Sequence, residues 1–313
     1  MNPPLVSIIV PCHNAAPWLA QSLESALAQT HPAIEVLVVD DGSTDDSLTI
    51  ARRFGPRGVQ VVSQANRGAS AARNHGLRLA RGDFVQFLDA DDLLAPDKIA
   101  TQLGSLAPGD AGTLLSGTWA RFHASPAEAV FRPEPLATDL LPVDFLIRKF
   151  TLHAMVHPAA WLVSRPLIAA AGGWDERLSL DDDGEYFTRV ALAARTIRYC
   201  ATALSYYRSR LPGSLSRSRS DRAWASAFLA AELAVQHLLA REDSPRTRAA
   251  AADYLQRLVF EAYPHRRDDR HRVEARMREL GGSRVQFEAG PRFHLVARLL
   301  GWRLAKRLRN RFV

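Results

Sequence analysis

The chain has 313 residues, of which 47% are hydrophobic and 23% are charged, and its formal net charge is +7. This composition is typical of a folded soluble protein, and the length allows one domain of about 200 to 250 residues with an appendage, or two smaller domains. The two cysteines, Cys12 and Cys200, exclude a disulfide framework or a zinc site and fit a reducing cytoplasm. No apolar run approaches the ~20 residues that a bilayer requires, and the amino terminus lacks a secretory signal, so we expect a cytoplasmic protein.

Three apolar runs in the first 92 residues predict buried strands that end in polar or acidic residues. Their exits are Pro11-Cys12-His13-Asn14 after residues 6–10, Asp40-Asp41 after residues 36–39, and Asp89-Ala90-Asp91-Asp92 after residues 84–88. Helices are expected at residues 17–29, 45–54 and 96–106, and a short strand at 59–63. This alternation indicates a mainly parallel, doubly wound α/β sheet. Such sheets bind ligands at the carboxyl ends of their strands, so the three exits predict one nucleotide-sized site.

The third exit carries most of the chemical information. Its three carboxylates, Asp89, Asp91 and Asp92, repel one another unless a cation lies among them. Carboxylate oxygens suit Mg²⁺ or Mn²⁺, and those ions in turn suit phosphate oxygens. The alternative is an aspartate-rich loop that caps the helix beginning near Pro96. A second acidic exit in the same half of the chain favours the metal interpretation.

The second half of the chain is predicted to change from mixed to helical structure. We expect a strand at residues 113–122, a surface loop at 124–142 and another strand at 159–163. A short helix ends at Gly172-Gly173, and Asp181-Asp182-Asp183 opens the next one. Three helical segments then follow without intervening strands, at residues 221–241, 246–263 and 268–280. They predict a helical carboxyl-terminal appendage.

Several spaced motifs together resemble the family 2 glycosyltransferases of the GT-A fold. They are Pro11-x-His13-Asn14, Val38-Val39-Asp40-Asp41-Gly42-Ser43-Thr44-Asp45, Ala72-Arg73-Asn74-x-Gly76 and Leu88-Asp89-Ala90-Asp91-Asp92. The resemblance covers about residues 5–210 and leaves the helical end outside. It implies a glycosyltransferase domain over residues 1–218, with a donor half to about 110 and an acceptor half from about 111, followed by a helical region over 219–313.

The resemblance implies an inverting hexosyl- or N-acetylhexosaminyltransferase whose donor is a nucleotide diphosphate sugar, most often a UDP-sugar. At the matching positions, Pro11 and His13 would lie beside the base, although His13 is also explained as a packed loop histidine. Either Asp40 or Asp41 would accept a hydrogen bond from the base. Asp89 would face the ribose or sugar and assist the metal site, and Asp91 would hold the Mg²⁺ or Mn²⁺ that bridges both phosphates.

Two arginines are candidates for contacting the diphosphate. Arg73 would form a charge-assisted contact to phosphate, or instead an internal salt bridge with a nearby acid. Arg208 lies in the stretch 206–216, which resembles a mobile loop near the donor phosphates; an ordinary basic surface loop is the alternative. Both interpretations stay open for each arginine.

The family also carries a Glu-Asp pair at a helix start, shortly after a Gly-Trp-Asp segment, and the acid of this pair deprotonates the acceptor. Here Asp183 aligns with that acid, whereas Asp182 replaces the usual Glu, so both remain candidates and Asp183 is preferred. Like charges nearby would raise the pKa of the base and improve it, while helix capping is the alternative role. Trp161 and Trp174 would stack on an acceptor sugar, or pack in the core.

The carboxyl-terminal tail is strongly basic. Residues 291–313 contain seven Arg or Lys and no acid, which equals the whole net charge. A continuous helix would place Leu295 and Leu299 on one face together with Arg303 and Arg307. Such a helix would lie on an anionic membrane surface, as suits an enzyme that extends a glycan or a lipid-linked acceptor; a solvated helix is the alternative. No nucleic-acid-binding module precedes the tail.

Two other functions compete with glycosyl transfer. A nucleotidyltransferase also uses a doubly wound sheet and a metal, but it usually has a Gly-rich phosphate loop after its first strand, where this chain has Pro11-Cys12-His13-Asn14. A non-catalytic nucleotide-sugar-binding or scaffold protein would be favoured by the loss of an acid at Asp91 or at the Asp182-Asp183 pair. All of these acids are present.

Overall fold

A five-stranded sheet forms the centre of the computed structural model, which describes residues 3–211, 218–285, 287 and 290–311. In order across the sheet, the strands are β3 (Val59–Gln64), β2 (Ile34–Asp41), β1 (Val6–Cys12), β4 (Phe84–Phe87) and β7 (Val163–Ser164). The first four run parallel, and the short β7 is antiparallel to β4. Every residue of β1 is buried, as expected for a central parallel strand. The mainly parallel α/β sheet predicted from the apolar runs is confirmed.

Four helices connect the strands of the first half. They are α1 (Ala16–Leu27), α2 (Ser47–Arg53), α3 (Ala69–Leu79) and α4 (Lys98–Gly104). α3 lies directly on β1 because Gly76 has no side chain: a Cβ at this position would collide with Ile9. This close approach brings Arg73, one turn earlier on α3, to the exits of the strands.

A second sheet of three strands holds the acidic loop that follows β4. Its strands, in order, are β5 (Leu93–Leu94), β8 (Thr196–Arg208) and β6 (Thr113–Phe122). β8 runs parallel to β6 and antiparallel to β5. Since β4 belongs to the first sheet and β5 to the second, the residues between them are fixed at both ends. The strand predicted at 113–122 is confirmed, whereas β8 has no counterpart among the predicted strands.

Three helices belong to the middle of the chain: α5 (Pro142–Leu152), α6 (Arg165–Ala171) and α7 (Asp182–Ala193). α6 ends at Gly172, which adopts a φ of 79°, and this confirms the predicted glycine stop. The strand predicted at 159–163 begins too early. Residues Pro158–Ala160 form a 3₁₀ turn, whereas Trp161 is extended, Leu162 forms an isolated bridge with Leu115, and β7 begins at Val163. Pro158 explains the difference, because proline fixes φ and removes a donor from the sheet.

Residues from 218 onward are helical wherever they form regular structure in the described part of the chain. The helices are α8 (Asp221–Arg241), α9 (Pro245–Ala262), α10 (Arg267–Glu279), α11 (Pro291–Leu300) and α12 (Trp302–Arg311). Trp224 and Phe228 of α8 share one hydrophobic core with Trp161 and Phe187, so these helices pack directly on the α/β part. A domain boundary near residue 218 stays a prediction.

Helix α8 is the one helix, among the described residues, that is long and apolar enough to cross a membrane. However, 56% of its apolar window is buried inside the protein. A core helix of a globular protein passes the same test of length and composition, and the packing of Phe228 in the shared core agrees with that explanation.

The basic tail forms a helical hairpin instead of one continuous helix. Gly301 adopts a φ of 81° and separates α11 from α12. Arg303 of α12 pairs with Glu274 of α10 at 2.7 Å, and the buried Lys306 donates to the main-chain oxygens of Phe260 and Glu261. The expectation that Arg303 and Arg307 extend the apolar face of α11 is therefore wrong, because the glycine redirects the chain.

Candidate active site

The carboxyl ends of β1, β2 and β4 open into a cleft of about 860 Å³. Asp41 follows from the end of β2, Asp91 from the loop after β4, and Asp183 from the first turn of α7, and all three line this cleft. The structure thus brings together three acids that are widely separated in the sequence.

The exit of β1 forms one wall of the cleft. Pro11 is buried within β1 and contributes to the lining, whereas His13 is exposed. The Nδ1 atom of His13 lies 3.0 Å from the main-chain oxygen of Asp41, and the amide of Asn66 lies 3.2 Å from the ring. These contacts fix the ring beside Asp41. Contact of His13 with a nucleotide base stays a prediction.

The two acids at the end of β2 point to different surroundings. Asp40 is buried, does not line the cleft, and accepts hydrogen bonds from the Ser43 N–H at 3.2 Å and the Ser63 hydroxyl at 2.8 Å. Asp41 lines the cleft and accepts hydrogen bonds from the main-chain N–H groups of Arg67 and Gly68 at 2.9 and 2.7 Å. The carboxylate of Asp40 thus stabilises the turn after β2, and a donor-binding role for Asp40 stays a prediction. Asp41 is the candidate that lines the cleft.

The acidic loop after β4 contains acids at the cleft and one buried acid. Asp92 is fully buried: one oxygen accepts the N–H of Arg208 at 2.8 Å, and the other lies 3.1 Å from Nδ1 of His157. Burial raises the pKa of Asp92 well above its usual value, and the charge of Asp89 adds to the shift. Asp92 therefore anchors the loop to β8, while Asp89 and Asp91 line the cleft.

A divalent cation fits Asp89 and Asp91. Arg73 binds one oxygen of Asp89, and the second oxygen has no protein partner among the described residues. Burial, together with the charges of Asp92 and Asp89, raises the pKa of Asp91 to about 8. No cluster of three or more His, Cys, Asp or Glu side chains forms a ready metal site within the described residues. Two carboxylates without such a cluster suit Mg²⁺ or Mn²⁺, which keep water and phosphate oxygens as further ligands.

Arg208 supports this acidic loop from within the protein. Its Nε donates to the main-chain oxygen of Asp91 at 2.8 Å, and its two terminal nitrogens donate to His123 and Gln21 at 3.1 and 2.5 Å. The guanidinium also lies 4.3 Å from the ring centroid of Phe122. Every nitrogen is engaged and the side chain is buried, so Arg208 holds the loop in this arrangement, and the clamp on the diphosphate stays a prediction. Residues 212–217 of the predicted loop lie outside the described residues.

Arg73 joins the acidic loop after β4 to the start of α7. Its terminal nitrogens donate to Asp89 and Asp182, each at 2.8 Å, and its guanidinium lies 4.4 Å from the ring centroid of Trp174. Of the two interpretations of this arginine, the internal salt bridge is the one present. Each terminal nitrogen carries a second N–H and Arg73 lines the cleft, so the contact with phosphate stays a prediction.

The acids at the start of α7 have different tasks. Asp182 is buried, and its Oδ2 accepts hydrogen bonds from Arg73 at 2.8 Å and Ser70 at 2.9 Å. The carboxylate of Asp183 accepts only the N–H of Gly184, at 2.9 Å, among the described residues. Burial, followed by the charges of Asp182 and Asp181, raises the pKa of Asp183 to about 7. Asp183 is thus the acid with an available oxygen at the cleft.

The two tryptophans predicted to bind the acceptor belong to the core. Trp161 and Trp174 are 1% and 3% exposed. Trp174 stacks on Tyr186 with ring centroids 4.1 Å apart, and Trp161 stacks on Phe187 at 5.3 Å. Trp161 is among the residues that line the cleft, whereas Trp174 is not. Both rings pack against other aromatic rings, as the core-packing alternative expects, and an acceptor role for either residue stays a prediction.

The helical half contributes residues that sequence reasoning missed. The hydroxyl of Tyr254 on α9 donates to Asp181 at 2.8 Å, and Ser226 on α8 accepts the N–H of Ser179 at 2.7 Å. These contacts hold the turn that precedes Asp183, in which Asp181 adopts a φ of 61°. Lys149 on α5 also lines the cleft. No motif marks these residues, and their only sequence signal is their place in predicted or possible helices.

Comparison with known proteins gives a consistent result. Residues 7–153 match the family model described as glycosyl transferase family 2. The glycosyltransferase GlyG of Streptococcus pneumoniae serotype 4 is 29% identical over 71% of this chain and 76% of its own length. An uncharacterized glycosyltransferase of Haemophilus influenzae is 44% identical over 33% of this chain. This chain spans 42% of that relative and 56% of a 31% identical glycosyltransferase from Rickettsia typhi, about half of each.

Two solved structures share the fold. Staphylococcus aureus TarS 1-349, in complex with UDP-GlcNAc, superimposes with a TM-score of 0.65 at 19% identity, over 98% of this chain and 92% of TarS. The mannosyltransferase PcManGT from Pyrobaculum calidifontis, in complex with GDP-Man and Mn²⁺, gives a TM-score of 0.58 at 22% identity, over 98% and 84%. At these identities the likeness concerns the fold, and the predicted GT-A-type fold is confirmed.

Proposed function

We propose that this chain, whose residues 7–153 match the model of glycosyl transferase family 2, is an inverting enzyme that transfers a hexosyl or N-acetylhexosaminyl group from a UDP-sugar to a hydroxyl of a glycan or lipid-linked acceptor. The observation that supports this proposal best is the single cleft shared by Asp41, Asp91 and Asp183. A donor site, a metal site and a base are the three parts that such a transfer requires, and these acids supply one candidate for each.

The donor is proposed to bind at the strand exits. Asp41 and His13 would contact the nucleotide base. The acids Asp89 and Asp91 would bind a Mg²⁺ or Mn²⁺ ion that also contacts the diphosphate. The fold likeness to a UDP-GlcNAc complex and to a GDP-Man and Mn²⁺ complex supports a nucleotide-sugar donor with a divalent metal. Arg208 and Asp92 would act only by holding the loop that carries these acids.

The base is proposed to be Asp183. It accepts the proton of the acceptor hydroxyl while the hydroxyl oxygen attacks the anomeric carbon from the face opposite the diphosphate. The new carbon–oxygen bond forms as the bond to the diphosphate oxygen breaks, and that electron pair leaves with the nucleoside diphosphate. A bound metal ion would neutralise the charge that grows on this leaving group. A pKa of about 7 makes Asp183 a better proton acceptor than an ordinary carboxylate.

We also propose that the enzyme is cytoplasmic and attaches to an anionic membrane surface through α11. Leu295 and Leu299 of this helix are 63% and 72% exposed, and Arg298 lies between them. Apolar residues beside cations are typical of helices that lie in a membrane interface. Replacing both leucines by serine should reduce co-sedimentation with vesicles of anionic lipid. Equal sedimentation of the variant and the wild type would contradict this attachment.

Calorimetry with several nucleotides tests the proposed function as a whole. We expect UDP to bind in the presence of Mn²⁺ and to bind much more weakly without it, with GDP and TDP weaker than UDP. A panel of UDP-sugars, followed by NMR of the anomeric proton of the product, then identifies the sugar and the inversion. Mn²⁺-independent binding, or release of pyrophosphate from a nucleoside triphosphate, would instead favour a binding protein or a nucleotidyltransferase.

A further inference from the structure

Beyond Asp183 the cleft continues into a second arm, which is separate from the strand exits. Its walls come from three helices, and the residues that line it include Lys149 and His153 at α5, Trp224 and Ala227 of α8, and Tyr254 and Glu261 of α9. Trp224 and Ala227 are both buried and contribute apolar surface to this lining. We call this region the helical arm.

The charged groups of the helical arm are mostly paired within the protein. Glu261 lies 3.3 Å from Nε2 of His153, and Asp181 accepts the hydroxyl of Tyr254 at 2.8 Å. Lys149 differs from them. It is half-buried and lines the cleft, and its ammonium lies 6.0 Å from the ring centroid of Phe150 but forms no salt bridge or hydrogen bond among the described residues.

The ammonium of Lys149 also lies close enough to the base to affect it. Together with Arg73, its charge opposes the rise in the pKa of Asp183. A half-buried cation that lacks a counter-ion costs free energy, and an anionic ligand removes that cost. Two acids of the helical arm, Asp181 and Glu261, are already engaged by Tyr254 and His153, so Lys149 is the position in this arm at which an anion would gain most.

We propose that the helical arm is the acceptor subsite and that Lys149 binds an anionic group of the acceptor, a phosphate or a carboxylate. Because Lys149 lies near Asp183, this group is close to the reacting hydroxyl. The acceptor is then a sugar or polyol phosphate, or a glycan that ends in a uronic acid. This inference rests on the proposed function, in which Asp183 is the base, and it adds the chemical class of the acceptor.

Matched pairs of small ligands test the proposal while UDP and Mn²⁺ fill the donor site. Glycerol 1-phosphate against glycerol reports on phosphate, and methyl glucuronide against methyl glucoside reports on carboxylate. We expect the anionic member of at least one pair to bind at least tenfold more tightly, measured by NMR titration. Lys149→Met should abolish this difference, whereas Lys149→Arg should retain it.

A second charge-removing variant controls for the net charge of the protein. Arg52 is exposed on α2 and does not line the cleft, so Arg52→Met should keep the preference for the anion. Three results would overturn the proposal: equal affinities within both pairs, no binding of either anion at tens of millimolar, or an unchanged preference in Lys149→Met. Failure of UDP to bind in the same samples would instead count against the proposed function, so the two failures are distinguishable.

Discussion

The two arms of the cleft are built in different ways. The donor arm consists of loops that follow the parallel strands β1, β2 and β4, and in a parallel sheet these loops meet at one edge whatever their side chains are. The helical arm consists of side chains from α5, α8 and α9, which meet only because those helices pack in one arrangement. The first arm follows from topology, whereas the second depends on packing.

A chain of ion pairs connects the two arms. Arg73 binds Asp89 of the acidic loop with one nitrogen and Asp182 at the start of α7 with the other. Its Nε is buried and has no hydrogen-bond partner among the described residues. Breaking a buried pair of this kind is costly, because a charge is then left uncompensated. The acidic loop and the start of α7 are therefore held in one fixed geometry. A substitution tests one arm alone only if it lies outside these two ion pairs.

The largest effect is expected from Asp183→Asn at the junction of the arms. The amide cannot accept the acceptor proton, so kcat should fall by roughly 10² to 10⁴, the range of general-base catalysis. Calorimetry should show nearly unchanged affinity for UDP with Mn²⁺, since Asp183 lies outside the donor arm. Near-normal turnover of Asp183→Asn would indicate that Asp182 is the base instead. In that case Asp182→Asn, which also leaves Arg73 underpaired, should lose both activity and thermal stability.

The donor arm is tested by Asp91→Asn. Removing this charge should weaken Mn²⁺-dependent binding of UDP by about tenfold or more, because a carboxylate ligand of a hard cation is lost. The matched control is Asp97→Asn, since Asp97 is exposed and its side chain caps no helix. Unchanged affinity in Asp91→Asn, measured by calorimetry with Mn²⁺, would exclude Asp91 as a metal ligand.

The donor arm was largely predictable from sequence, and the helical arm was not. Apolar runs that end in Asp41, Asp89 and Asp91 can be recognised locally, because strand, exit and acid are adjacent in the chain. Tyr254 and Lys149 carry no such signal: each lies in a helix, and its partner is distant in sequence. Side-chain roles were also harder to predict than positions.

Arg208 and Trp174 illustrate why roles were harder to predict. Both lie near the site and both belong to residue types that bind donors or sugars. In the structure Arg208 donates to three oxygen acceptors, and Trp174 packs against the rings of Tyr186 and Phe187. The sequence shows which groups are available, but burial and competing partners decide which of them a ligand can reach.

The pH dependence of kcat/KM should report on Asp183, which lies where the two arms meet. The pKa of Asp183 is about 7, and the base must be ionised to act. The value of kcat/KM should therefore fall about tenfold per pH unit below pH 7 and level off above it. A profile that stays flat to pH 5 would show that an unperturbed carboxylate is the base. The profile is measured with saturating Mn²⁺, so that metal loss does not contribute.

The smallest effect is expected from Tyr254→Phe in the helical arm. This change removes the hydrogen bond to Asp181, a charge-assisted bond of about 1.5 to 3 kcal/mol, and loosens the turn that precedes Asp183. We expect kcat to fall a few-fold to tenfold while the affinity for UDP stays constant.

Tyr206→Phe is the matched control, because the Tyr206 hydroxyl has no hydrogen-bond partner among the described residues and does not line the cleft. If both variants lose stability equally and neither changes kcat, then Tyr254 contributes to packing and does not position the base. A selective loss of kcat in Tyr254→Phe would show that the helical arm positions the base, so that the two arms act as one site.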